Sequence, residues 1–181
     1  KSSTICQPCV NGTYQHKKGY AYCYQCPLGK FNNVTGADRP VNSSCHACPV
    51  GRYSDAEGMS ECRECTSGEY QDETGMSECK QCAAGRKSET PQSTSCEACE
   101  AGKFQDTEGQ LTCDTCVRGK KSALNRTLCE ACPTGQSQPD TGRAACSFCA
   151  PGTNQSQTGQ SKCVTCATGY YQSDAGQTTC Q

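Results

Sequence analysis

Tryptophan is absent from this chain of 181 residues, and Leu, Ile, Val and Phe together number only fourteen. With a mean hydropathy of -0.76, burial of apolar surface alone cannot offset the entropy of ordering so long a chain. A conventional hydrophobic core is therefore excluded. No apolar run approaches the length of a signal h-region or a spanning helix, so the chain holds no membrane-spanning segment and reads as a processed secreted protein or a piece of a longer one. No 3.6-residue periodicity or heptad is present, which predicts almost no helix. Neither charge sign dominates: 17 basic and 18 acidic residues give a net charge of -1, without a basic block or an acidic tail, which argues against a nucleic-acid partner.

Cysteine is what the chain has instead. Twenty of its 21 cysteines form ten Cys-x-x-Cys pairs whose first members are Cys6, Cys23, Cys45, Cys62, Cys79, Cys96, Cys113, Cys129, Cys146 and Cys163, at steps of 17, 22, 17, 17, 17, 17, 16, 17 and 17 residues. A further 17 residues leads to the single Cys180. All 18 glycines keep the same period: ten stand three residues after the second Cys of a pair (position +3) and eight stand at +10. A flexible linker would scatter them, so one backbone conformation must recur in every repeat.

Cysteine at this density marks a disulfide scaffold, and disulfides persist in oxidising surroundings, which places the chain outside the cell or at its surface. In the staggered connectivity the second Cys of each pair bonds the first Cys of the next: Cys9 with Cys23, Cys26 with Cys45, Cys48 with Cys62, Cys65 with Cys79, Cys82 with Cys96, Cys99 with Cys113, Cys116 with Cys129, Cys132 with Cys146, Cys149 with Cys163, and Cys166 with Cys180. This scheme uses Cys180 and leaves Cys6 for a partner upstream or on another molecule, as in a fragment of a longer array. Bridges within each pair, or an overlapping pattern of Cys6 with Cys23 and Cys9 with Cys26, are also compatible with the spacing but strand Cys180. Each staggered bridge closes a loop of about 15 residues, worth about 3 kcal/mol in the loop-entropy model.

Five of the six asparagines, Asn11, Asn33, Asn42, Asn125 and Asn154, open an Asn-x-Ser/Thr sequon. Chance would give roughly one, so the chain reads as an N-glycosylated secretory protein.

One repeat, from Cys65 to Cys79, suggests a small hairpin: an extended piece through Tyr70, a turn over Asp72 to Gly75, and a second extended piece into Cys79. Asp55, Asp72 and Asp106 at +7, and Asp140 and Asp174 at +8, are expected to bond their own backbone at the reversal. Tyr14, Phe31, Tyr53, Tyr70, Phe104 and Tyr171 at +5 would supply the nearest thing to a core. Lys87, Lys121, Ser137 and Asn154 stand there in the other repeats, where local stability should fall. Three irregularities, an insertion around residues 39–43, Pro91-Gln92 in place of a turn glycine, and the shortened Asn125-Arg126 turn, are expected to carry sugar or contacts.

The expected fold is small and disulfide-rich: tandem β-hairpin modules of about 17 residues in a single array over residues 1–181, stacked into an elongated rod or solenoid on the order of 100 Å long. The pattern resembles the ephrin-receptor-like cysteine-rich repeat, most clearly at Cys26-Pro27-Leu28-Gly29-Lys30-Phe31 and Cys48-Pro49-Val50-Gly51-Arg52-Tyr53. It is more loosely similar to the cysteine-rich modules of tumour necrosis factor receptors and growth-factor receptors. The resemblance implies an elongated extracellular disulfide ladder, and it carries over no ligand-contact residue.

Rival chemistries fit less well. Zinc modules would group the Cys pairs two by two, whereas the gaps are uniform. Cys-x-x-Cys redox catalysis wants one pair at a helix N-terminus, not ten equivalent pairs. His16 and His46 lie in different repeats with no matched nucleophile and read as solvated loop residues, so no catalytic, cofactor-binding or metal-binding residue is expected. The turns at Asp55 to Gly58 and Asp106 to Gly109 each offer two carboxylates where calcium wants six to eight oxygens. Tyr20, Tyr22 and Tyr24 form an alternating stripe that reads as an assembly surface or one strand face. Two functions follow: a structural glycoprotein whose partners are other copies of the array, in a filament, appendage or coat, or the stalk or ligand-binding ectodomain of a receptor or adhesin.

Overall fold

The computed structural model describes residues 9–15, 22–34 and 45–181, and no helix occurs among them. Cys6, His16, Gly19, Tyr20, Gly36, Asn42 and the insertion around 39–43 lie outside the described residues. The chain divides into two compact units, Lys1–Gln81 with Ser88–Cys96, and Cys82–Lys87 with Glu97–Gln181.

Each unit is a succession of antiparallel two-stranded hairpins. In the first, Thr13–Tyr14 pairs with Tyr24–Gln25, Lys30–Phe31 with His46–Ala47, Arg52–Tyr53 with Arg63–Glu64, and Glu69–Tyr70 with Lys80–Gln81. In the second, Arg86–Lys87 pairs with Glu97–Ala98, Lys103–Phe104 with Asp114–Thr115, Lys120–Ser122 with Cys129–Ala131, Gln136–Ser137 with Ser147–Phe148, and Thr153–Asn154 with Val164–Thr165. The second strand therefore lies between the two cysteines of a pair, beyond the extended piece expected before Cys79, and at Cys129 includes the first of them. The +5 residue stands opposite the first residue inside the pair, as Tyr70 does opposite Lys80.

Successive repeats are joined backbone to backbone. In the first unit Gly51 N–H donates to the carbonyl of Gln71 at 2.7 Å, and Gln71 N–H donates to that of Ser93 at 3.0 Å, so three consecutive repeats are tied through two residues. In the second, Gly135 donates to Gln155 at 2.8 Å and Gln155 to Gln177 at 3.1 Å. The turn residue at +10 reaches back in turn: Gly75 N–H bonds the carbonyl of Cys48, and Gly142 that of Cys116, both at 2.8 Å. Backbone groups that a conventional fold would satisfy within long strands are here satisfied between repeats.

That stacking explains the fixed glycines. A Cβ at Gly29 would overlap the carbonyl oxygen of Gly75, two repeats later. Within a unit a repeat thus touches the next two, not the next alone.

The interior is sulfur and amide. Second cysteines of the pairs, Cys26, Cys48, Cys65, Cys82, Cys99, Cys116 and Cys132, are fully buried, and apart from cysteine Ala123 is the sole buried hydrophobic residue among those described. The aromatic residues at +5 do not form the core expected of them. Tyr14, Phe31, Tyr53, Tyr70 and Phe104 are half-buried on the hairpin face, and Tyr171 is exposed.

Candidate functional site: the disulfide ladder and its turns

The disulfides join each second Cys to the first Cys of the following pair: Cys9–Cys23, Cys26–Cys45, Cys48–Cys62, Cys65–Cys79, Cys99–Cys113, Cys116–Cys129, Cys132–Cys146, Cys149–Cys163 and Cys166–Cys180. Cys82 and Cys96 are disulfide-bonded as well. A sulfur committed to a disulfide is neither a thiolate ligand nor a nucleophile.

Six residues after the second Cys of each pair stands a polar side chain that the sequence reading did not single out. Asn32, Ser54, Gln71, Ser88, Gln105, Ser122, Gln138, Gln155 and Gln172 are all buried there. Gln71 accepts a bond from Glu73 N–H at 3.0 Å through Oε1 and donates through Nε2 to the carbonyl of Glu78 at 2.7 Å. Gln105, Gln138, Gln155 and Gln172 make the same two bonds in their own turns. One amide thus spans the turn and satisfies a donor and an acceptor that would otherwise be orphaned. The signal was available: position +6 is Gln, Asn or Ser in all ten repeats, Gln15 included.

Asp72 bonds its own backbone as expected, and the turn aspartates also make ion pairs. Asp55 pairs with Arg63 at 2.7 Å, Asp72 with Lys80 at 2.7 Å, and Asp140 with Arg143 at 3.0 Å. Lys80 also meets Glu73 at 2.9 Å. The hydrogen bond from Lys80 holds the Asp72 carboxyl below its ordinary value, and bonds to Asp72 and Glu73 raise the Lys80 ammonium. Lys103 lowers Glu100 in the same way. For the Asp140 and Asp174 turns it is the backbone N–H that bonds the preceding glutamine.

Asn11, Asn33 and Asn125 are exposed. The Asn125 Oδ1 accepts from the N–H and the hydroxyl of Thr127 at 3.3 and 3.0 Å, and its Nδ2 makes no hydrogen bond among the described residues. Asn154 differs: it is half-buried, and its Nδ2 donates to the carbonyl of Thr178 at 2.9 Å.

His46 stands at the edge of a hairpin with its ring 6.0 Å from that of Phe31. Tyr24 packs at 5.9 Å from Tyr14, and Tyr22 is exposed. The irregular turns keep the regular backbone: Gln92 and Arg126 stand at +10 with φ of 60°. No helix among the described residues is long and apolar enough to cross a membrane.

Comparison with known proteins identifies one family. The model described as tyrosine-protein kinase ephrin type A/B receptor-like matches residues 1–41, 51–95 and 152–181, more than half of the chain. The comparison with curated proteins gave no match.

Proposed function

Since the chain belongs to the ephrin type A/B receptor-like family of cysteine-rich repeats, an extracellular, disulfide-rich ectodomain type and not an enzyme domain type, we propose that it is a structural glycoprotein. Its repeats form a rigid element of an extracellular filament, appendage or surface coat. The observation that carries this reading is the backbone lattice, in which each repeat is hydrogen-bonded to its successors and covalently closed by a disulfide. A ladder of this kind resists bending and proteolysis without needing an apolar interior. Uniformity supports it too, because side chains are spent on repeating turns and not on one convergent site. N-glycans at exposed Asn11, Asn33 and Asn125 would keep the surface soluble.

The family's receptor-like membership favours a second reading, the stalk or ligand-binding ectodomain of a receptor or adhesin. Electron microscopy of native material, with antibody labelling of this chain, separates them. Labelled fibres or a coat are expected. A monomer with a tight protein ligand would instead establish the receptor reading. Glycopeptide mapping of the same material is expected to find sugar at Asn125.

A further inference from the structure

The net charge of -1 conceals a division along the chain. Residues 1–54 hold six cations and one carboxylate, residues 55–114 hold five and fourteen, and residues 115–181 hold six and three. A strongly acidic middle is thus flanked by two basic segments.

Local ion pairs deepen the division. Arg63, Lys80 and Lys103 are taken up by Asp55, by Asp72 with Glu73, and by Glu100. Exposed Glu57, Glu61, Glu97, Asp106, Glu108 and Asp114 make no ion pair among the described residues. Exposed Lys30, Arg118, Lys120 and Lys162 in the flanking segments make none either. Unpaired charge of opposite sign is therefore concentrated in different segments of the chain.

We propose that copies of this chain associate out of register, the acidic middle of one copy against a basic end segment of another. The occupant is a second copy because the same chain carries both complementary segments, with twelve cations in the flanks and fourteen carboxylates in the middle. A total charge near zero also means that two copies meet without net repulsion, while the in-register alignment sets like charges together and is disfavoured. This rests on the self-assembling reading above and adds the register to it.

Sedimentation velocity of the disulfide-intact chain tests the idea at about 20 mM and about 500 mM salt, where exposed charges are respectively felt and screened. Concentration-dependent association is expected at low salt and its weakening by about tenfold or more at high salt. A six-site variant, Glu61→Lys, Glu97→Lys and Glu108→Lys with Lys30→Glu, Lys120→Glu and Lys162→Glu, keeps the net charge but removes most of the division, taking the three segments from +5, -9 and +3 to +3, -3 and -1. None of these side chains makes a hydrogen bond or ion pair among the described residues, and disulfide mapping checks that the ladder is intact. The variant should lose the low-salt association. Association of the variant equal to that of the native chain overturns the proposal. Native association that ignores salt also overturns it while leaving self-assembly standing, and a native chain that stays monomeric at low salt overturns both.

Discussion

Gln92 holds the left-handed turn position that glycine occupies in most repeats, and its carbonyl oxygen takes the space where a Cβ on Gly51, two repeats earlier, would stand. The contact dictates the conformation, and the residue conforms at a cost.

That cost can be recovered. A non-glycine residue in the left-handed region loses about 1–2 kcal/mol, and glycine's extra freedom in the unfolded chain returns about 0.5–1 of it. Gln92→Gly and Arg126→Gly are each expected to stabilise the chain by about 0.5–1 kcal/mol. Thermal unfolding followed by calorimetry, with the disulfides intact, measures the gain.

Gly102 and Gly152 share a positive φ but not their surroundings. A Cβ at Gly102 would overlap the Gly142 carbonyl, whereas at Gly152 it meets nothing within 4 Å. Gly152→Ala should cost about 1 kcal/mol, the backbone strain alone, and Gly102→Ala about 3 kcal/mol or more because the stacked turn must also move. Denaturant titration of the two variants should separate them; equal losses would show that backbone strain, and not stacking, fixes glycine at +3.

Replacing Gln71 by Ala removes both bonds across its turn and strands the Glu73 N–H and the Glu78 carbonyl beside a buried site. A loss of about 2–3 kcal/mol is expected. Hydrogen exchange should report it locally, as faster exchange at Glu73 with little change in the other unit.

Acid should loosen the Asp72 turn. The folded carboxyl lies below its unfolded value because Lys80 bonds the charged form. Its stabilisation is therefore complete above the ordinary aspartate range and is lost as pH falls through the depressed folded value. Carboxyl chemical shifts of Asp72 followed by NMR should titrate below the ordinary aspartate range, and Lys80→Met should remove the depression.

The module, its length and its hairpin character were legible in the sequence because cysteine and glycine leave marks at fixed spacing. Gly51 and Gly102 announced an unusual backbone, but which atom crowded them was not readable: the partner is a carbonyl two repeats away, and a backbone group carries no side-chain signature. Tyr70 drew attention as the natural core residue, since rings usually pack inward. Gln71 beside it was overlooked because amides usually face water. In a chain this poor in apolar side chains the preference reverses, and the amide is buried because its two ends match the turn's unpaired donor and acceptor.

Within a unit the turn of a repeat is seated by atoms one and two repeats upstream, as Gly142 is by Cys116 and Gly102. Duplicating or deleting one entire repeat leaves every such seat occupied by an equivalent turn. The gene can therefore change the length of the array by whole-unit recombination without inventing a new junction, while a fractional gain must be absorbed inside a single turn.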